Sequence, residues 1–180
     1  LFELAKIHMN NKDYKSARDD YVNLIKNHQQ FPGLKLNCMR IYQEIAFIDA
    51  CMQDYKSERK IFIKILNIQE SNSKYNSEDI ATTYGLIAQS YNRSKDYVNS
   101  VKCSKKAIKY LYKVDADKYV SGMIYYTYAI SLYNNMQRPD AVKQLKIACD
   151  FFSKSKFPSS NAKLENSLQL LTKWQKDDGS

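Results

Sequence analysis

The sequence predicts an all-α fold, a right-handed superhelix of antiparallel helix pairs made of four repeats and a C-terminal capping helix. Three observations carry this expectation. Alanines recur at Ala5, Ala46, Ala88 and Ala129, spaced 41, 42 and 41 residues apart, and a fixed period of this size marks a repeat array. Only 4 Gly and 3 Pro stand in 180 residues, too few turn formers for a protein built of β-hairpins. Between these breakers the apolar residues follow a helical period, as in Leu164, Leu168, Leu171 and Trp174.

Each unit reads as two helices around a shared turn. The turns are Lys12-Asp13-Tyr14-Lys15-Ser16-Ala17, Gln53-Asp54-Tyr55-Lys56-Ser57-Glu58 and Lys95-Asp96-Tyr97-Val98-Asn99-Ser100, with Gln137-Arg138-Pro139-Asp140-Ala141 in the fourth place. The units span about 1–30, 34–70, 78–113 and 117–154. Their first helices run over about 1–10, 34–51, 78–93 and 117–135, and their second helices over about 14–28, 55–70, 97–113 and 139–154. A capping helix follows over about 160–176. Linkers are expected at Asn27–Gly33, Ser71–Ser77, Val114–Asp117 and Ser153–Ser160. A bulky residue precedes each alanine (Leu4, Ile45, Ile87, Tyr128), and another lies three residues earlier (Leu1, Tyr42, Tyr84, Tyr125). Alanine at the crossing lets paired helices approach closely, and the turn aromatic fills the gap between them. One unit cannot bury its apolar face alone, so units stack.

Composition narrows the function. The chain is 44% hydrophobic and 26% charged, which suits a folded domain. No apolar run is long enough to span a membrane, and no signal peptide is visible. Four glycines leave no room for a Gly-rich phosphate loop. Cys38, Cys51, Cys103 and Cys149 form no C-x-x-C and lie in helical apolar stretches. They read as buried, reduced thiols and point to a cytoplasmic location. Neither His8 nor His28 has a Cys or His neighbour at metal-ligand spacing. No metal, cofactor or catalytic constellation is expected, and the chain reads as a non-enzyme. The chain begins at Leu1 in a helical pattern without Met, which reads as a fragment of a longer protein.

The aligned units resemble the tetratricopeptide repeat, whose pattern runs bulky, Leu-Gly/Ala, aromatic, turn, Ala, aromatic, Ala. The resemblance covers about residues 1–152 and departs at Asp49, Glu58, Ser104 and Arg138. Asp49 and Glu58 occupy packed positions, where Arg59 or Lys60 is expected to pair with them. A unit of 41–42 residues exceeds the usual length of about 34. Long units are similar to those of the bacterial peptide-sensing Rap/Rgg/PlcR-type (RRNPP) regulators, and they also occur in kinesin light chains and in helical polarity adaptors. The carboxylate clamp of chaperone-binding relatives is not reproduced by Phe2, Lys6, Gln43 and Phe47.

In such an array the first helices line a concave groove. One step round from the core stripe stand Arg40, Gln43 and Phe47 in the second unit, Gly85, Gln89 and Asn92 in the third, and Tyr126, Ile130 and Tyr133 in the fourth. Amides can satisfy an extended peptide backbone, and aromatics supply buried area. The likeness to the peptide sensors implies a backbone-holding role for Asn92. Glycine inside a helix costs about 1 kcal/mol relative to Ala, so Gly85 marks a close approach, by either a ligand backbone or a neighbouring helix. Charge is uneven: residues 1–90 carry 12 Lys+Arg against 11 Asp+Glu, and residues 91–180 carry 16 against 8. Lys102, Lys105, Lys106, Lys109 and Lys113 form a basic stripe on a second helix, either a solvated face or a phosphate-binding surface.

The first functional reading is the sensory part of a bacterial regulator, binding a short peptide in the groove and acting through an attached N-terminal output domain or a homodimer. The second is a scaffold that docks larger proteins. The third, nucleic-acid association through the basic half, has no accompanying motif.

Overall fold

The computed structural model describes residues 2–30 and 38–177, and among these residues the chain forms nine α-helices and no strand. They are α1 (Phe2–Asn10), α2 (Tyr14–Gln30), α3 (Cys38–Cys51), α4 (Tyr55–Glu70), α5 (Ser77–Arg93), α6 (Tyr97–Leu111), α7 (Lys118–Asn134), α8 (Arg138–Lys154) and α9 (Ser160–Asp177). The helix at Asn27 continues to Gln30, so the expected Asn27 linker start is corrected; Pro32, Gly33 and the start of the expected 34–51 helix lie outside the described residues.

Four turns reverse the chain with one backbone device. Lys12, Gln53, Lys95 and Met136 have φ of 59°, 59°, 60° and 59°, the left-handed region that L-residues enter at a cost of roughly 1–2 kcal/mol. That conformation lets two amides return to the helix just ended. Lys12 N donates to Met9 O and Asp13 N to His8 O; Gln53 to Ala50 and Asp54 to Asp49; Lys95 to Asn92 and Asp96 to Tyr91; Met136 to Tyr133 and Gln137 to Leu132. These are paired Schellman bonds, which satisfy carbonyls that a helix end leaves open. The next residue starts the following helix. Asp13, Asp54 and Asp96 accept the backbone N–H of Ser16, Ser57 and Asn99 at 3.1, 3.0 and 3.2 Å, as good N-caps do. Gln137 makes no such side-chain bond, and Pro139 sits in the first turn instead. Hydrogen bonds from the Ser57 hydroxyl and then its backbone N–H hold the Asp54 carboxyl below its usual range, and those from Ser16 do the same for Asp13.

The chain forms two compact units, residues 1–68 and 69–180, with the division in the last turn of α4. In the first unit, Ala5, Ala17, Tyr21, Ile41, Ile45, Ala46, Ile48, Phe62 and Ile65 are buried. Phe2 meets Tyr21 edge-on at 5.7 Å between ring centroids, and His8 Nδ1 lies 2.9 Å from Asp20 Oδ2. Asp49 and Glu58 are buried as expected. The partner of Asp49, however, is neither Arg59 nor Lys60: Arg18 on α2 donates its Nε to Asp49 Oδ1 at 2.5 Å. Burial pushes Asp49 above the ordinary carboxylate range against the pull of Arg18, and Asp49 Oδ2 has no hydrogen-bond partner.

The second unit stacks α5–α6 on α7–α8 and closes with α9. Its core holds Ala81, Val101, Ala107, Ile124, Tyr125, Ala129, Leu132, Ala141, Leu145, Ala148, Phe152, Leu171 and Trp174. Ser100 takes the place that Ala17 and Ala141 fill elsewhere. Its Oγ lies 2.7 Å from Ala88 O and 2.7 Å from Ser131 Oγ, which in turn lies 2.7 Å from Thr127 O. These hydroxyls tie α5, α6 and α7 together inside the core, where an unmade bond would cost about 1–3 kcal/mol. Gly122 is a packing position: a Cβ there would meet the buried Phe152 ring at 2.6 Å. The α9 stripe differs from expectation. Leu168 is exposed at 49%, and the buried face is Ser160, Ser167, Leu171 and Trp174. The cysteines also differ, since only Cys149 is buried and Cys38, Cys51 and Cys103 are half-buried.

Two stability outcomes follow. Arg18→Ala strands a buried carboxylate and should cost about 3 kcal/mol, the lower end for a broken buried pair because Arg18 is 30% exposed. Since Asp49 is raised in the folded state, stability is lost as pH rises through its folded pKa. The Arg18→Ala deficit should therefore be largest at neutral pH, shrink toward about pH 4, and be mostly restored by adding Asp49→Asn. Urea unfolding at both pH values checks this. Gly122→Ala should lower stability by about 1–3 kcal/mol by overpacking Phe152, despite the better helix propensity of Ala; a melt unchanged or raised contradicts it.

Candidate functional site

A helix presents residues three and four apart on one face. On α5 that spacing sets Thr82, Gly85, Leu86, Gln89, Asn92 and Arg93 along one side; on α7 it sets Tyr119, Met123, Tyr126 and Ile130. These two rows enclose two adjoining depressions of about 240 Å3 each, which share Gln89 and Met123. The first is lined by Thr82, Gly85, Leu86, Tyr119, Val120 and Ile124 besides the shared pair. The second adds Asn92, Arg93, Tyr126, Thr127, Ile130 and Lys163. A third, of about 360 Å3, continues from Tyr126 along α9 past Asn166, Gln169, Leu170 and Lys173. The result is a groove that is apolar at one end and carries amides and cations at the other, with no Asp or Glu among its lining residues.

Of the residues expected here, Gly85, Gln89, Asn92, Tyr126 and Ile130 come together in this groove. Burial raises the phenol of Tyr126. The close approach at Gly85 is made by a neighbouring helix, because a Cβ there would stand 3.0 Å from Ile124 Cγ1; its open edge still lines the apolar end. Asn92 is more than a groove amide. Its Nδ2 donates to Thr127 O at 3.2 Å, bridging α5 and α7, while its Oδ1 has no hydrogen-bond partner. That oxygen is buried, so the Asn92 amide serves chiefly to bridge the two helices. Tyr133 is absent from the lining: it stacks on Trp174 at 4.2 Å with an interplanar angle of 7°, and the Arg138 guanidinium lies 5.5 Å from its ring centre.

Arg40, Gln43 and Phe47 belong to the first unit, where all three are exposed on one side of α3, Phe47 at 57%. The Arg40 guanidinium lies 5.5 Å from the Phe2 ring centre. Lys163, whose ammonium stands 5.5 Å from the Tyr126 ring centre, was not expected in the groove. Nor were Asn166 and Lys173. Their i, i+3, i+10 spacing marks a polar helix side, but only the docking of α9 shows that it faces a groove. Thr82, Leu86 and Met123 were legible as members of the same α5 and α7 rows. Among the described residues no group of His, Cys, Asp and Glu is placed to hold a metal ion, and no helix is long and apolar enough to cross a membrane.

No family model matches the sequence, and no curated protein matches it. The fold does have solved counterparts. A Podosopora anserina protein described as a putative kinesin light chain with nearly identical TPR-like repeats superposes with a TM-score of 0.68 at 15% identity, over 99% of this chain and 88% of that one. A substituted form of it gives 0.70 at the same identity and coverage. The architecture is therefore that of TPR-like helix pairs.

The Tyr133–Trp174 stack attaches α9, and with it Lys163 and Lys173, to α7. Such a pair contributes about 0.5–1.5 kcal/mol beyond its buried area. Trp174 is the single tryptophan, so its fluorescence reports the contact. Tyr133→Ala should move the emission to longer wavelength and lower the unfolding temperature. An unchanged spectrum would mean that Tyr133 does not cover the indole.

Proposed function

We propose that this chain is a non-catalytic binding module whose second unit holds an extended peptide segment in the groove between α5 and α7. The observation that carries the reading is the gradient of the lining, from Leu86, Val120 and Ile124 at one end to Asn92, Lys163 and Lys173 at the other, without an acidic side chain. An occupant that fits carries an apolar side chain at one end and a carboxylate at the other. The Gln89 amide between them suits backbone N–H groups, since an extended peptide offers unpaired donors along its length. Apolar contact supplies affinity, and the amides and cations set direction and register.

An extension of this reading makes the module the sensory part of a regulator, in which an occupied groove fixes the packing of α5 against α7 and an attached module responds. A second reading, an adaptor that docks larger protein surfaces, is favoured by the exposed Phe47 beside Gln43 and Arg40 on the first unit. Aromatic and Arg side chains are the usual anchors of such interfaces.

The test is selection from a displayed random peptide library against the full chain, followed by titration of the winners. Selected peptides should share an apolar residue and an acidic residue or free C-terminus a few positions apart. Gln89→Ala and Lys163→Ala should each weaken them, by roughly three- to a hundredfold, the range expected for one or two hydrogen bonds or a charge-assisted contact. Peptides that bind both variants as well as the parent chain would remove the groove, and loss in Phe47→Ala instead would favour the adaptor surface.

A further inference from the structure

The basic stripe does more than coat a helix. Between Tyr97 and Leu111, α6 carries Lys102, Lys105, Lys106 and Lys109 and no acid, and Lys113 follows about half a turn beyond its end. All five are exposed, and among the described residues none is in an ion pair. Like charges three and four apart repel. The negative end of the helix offsets this within its last turn only, which leaves Lys102, Lys105 and Lys106 uncompensated.

Three of these lysines, Lys106, Lys109 and Lys113, line a cleft of about 190 Å3 together with Tyr84 and Tyr110. The cleft shares no residue with the groove. The two rings stack at 5.8 Å and 20°. Lys106 Nζ stands 5.3 Å from the Tyr84 ring centre and Lys113 Nζ 4.5 Å from that of Tyr110. Cation–π contacts thus hold two flexible ammonium groups in place before any ligand arrives. Burial first, and the nearby Glu70 next, raise the Tyr84 phenol, whose hydroxyl is hydrogen-bonded to the Glu70 carboxylate.

We propose that this cleft is a binding site for a group carrying two or more adjacent phosphates. Lysine ammonium groups act as point charges for phosphate. Positions 106 to 111 extend about 7.5 Å along the helix at 1.5 Å per residue, and Lys113 lies beyond its end, a span for more than one phosphate. The rings are engaged with each other and with the ammonium groups, so the cleft presents charge, not a bare platform for stacking a base as single-stranded nucleic-acid sites do. The same chemistry occurs in a soluble polyphosphate and in a phosphoinositide headgroup.

Titration calorimetry of the full chain with inorganic tripolyphosphate, with sulfate as the reference anion, tests the site. Sedimentation with phosphatidylcholine vesicles, with and without phosphatidylinositol bisphosphate, distinguishes the sources. The expected result is saturable one-to-one binding of tripolyphosphate and little of sulfate. Lys106→Gln and Lys109→Gln should each weaken it roughly tenfold or more, the effect of one charge-assisted contact, while Asn92→Ala leaves it intact. Removing the same charge on α8, with Lys143→Gln and Lys146→Gln, should have little effect. Capture on the bisphosphate vesicles as well points to a membrane headgroup, and tripolyphosphate binding alone to a soluble ligand. No saturable tripolyphosphate binding, equal loss in the α8 variants, or tight binding of nucleic acid alone would each overturn the proposal.

Discussion

One backbone conformation, repeated four times, organises the chain. At Lys12, Gln53, Lys95 and Met136 the left-handed turn ends one helix, returns two amides to it, and delivers the next residue as a cap. The helix pair follows from this, because the two helices leave the turn antiparallel and close together. Close approach then demands small side chains where they cross. Ala5, Ala17, Ala46, Ala88, Ala129 and Ala141 all meet that demand and are buried. None of the four turn residues is glycine, although glycine enters this region without steric penalty. The conformation is therefore imposed by the bonds on either side of it and by the packing they permit.

Departures from the pattern show how far it can be bent. Where Ser100 stands in an alanine position, its hydroxyl is used: it joins Ala88 O and Ser131 Oγ, so a polar atom in the core becomes a link between successive pairs. Asp49 is a harder case. A carboxylate out of water requires a partner, and Arg18 reaches it from the neighbouring pair, which couples α2 to α3. In both places a polar atom inside one pair is bonded to an adjoining pair. Stacking is thus specified by polar contacts as well as by apolar area.

What the sequence makes legible is what is local. The turns, the helix bounds and the alanine register all depend on residues within a few positions of one another. The rows Gln89–Asn92 and Tyr126–Ile130 follow from the same periodicity. What was not legible depends on distant partners. The pairing of Asp49 with Arg18 spans 31 residues, and nearer cations at Arg59 and Lys60 looked equally able. Leu168 fits an apolar stripe, yet α9 docks through Ser160, Ser167, Leu171 and Trp174 because the stack of Trp174 on Tyr133 sets its rotation. The same rotation brings Lys163 and Lys173 to the groove. Gly122 carried no signal of its own, since its need for a missing Cβ comes from Phe152, 30 positions later.

The groove and the lysine cleft of the second unit are kept apart by helix geometry. Neighbouring residues on α5 point about 100° apart, so Gly85 opens to the groove while Tyr84 turns to the lysine cleft. A rigid α5, tied to α7 by Asn92 and Thr127, presents both at once. The excess of positive charge in residues 91–180 acts on the two in different ways. At long range it draws any anionic partner toward either face and speeds encounter, an effect that salt suppresses. At contact the surfaces part. For the occupant proposed above, the apolar lining would make release from the groove less dependent on salt than release from the cleft, although Lys163 and Lys173 keep part of that dependence. The cleft has few apolar contacts to offer, so both its association and its dissociation depend on charge. Raising salt should therefore empty the cleft first and leave the groove occupied, a separation that no single uniformly basic face would give.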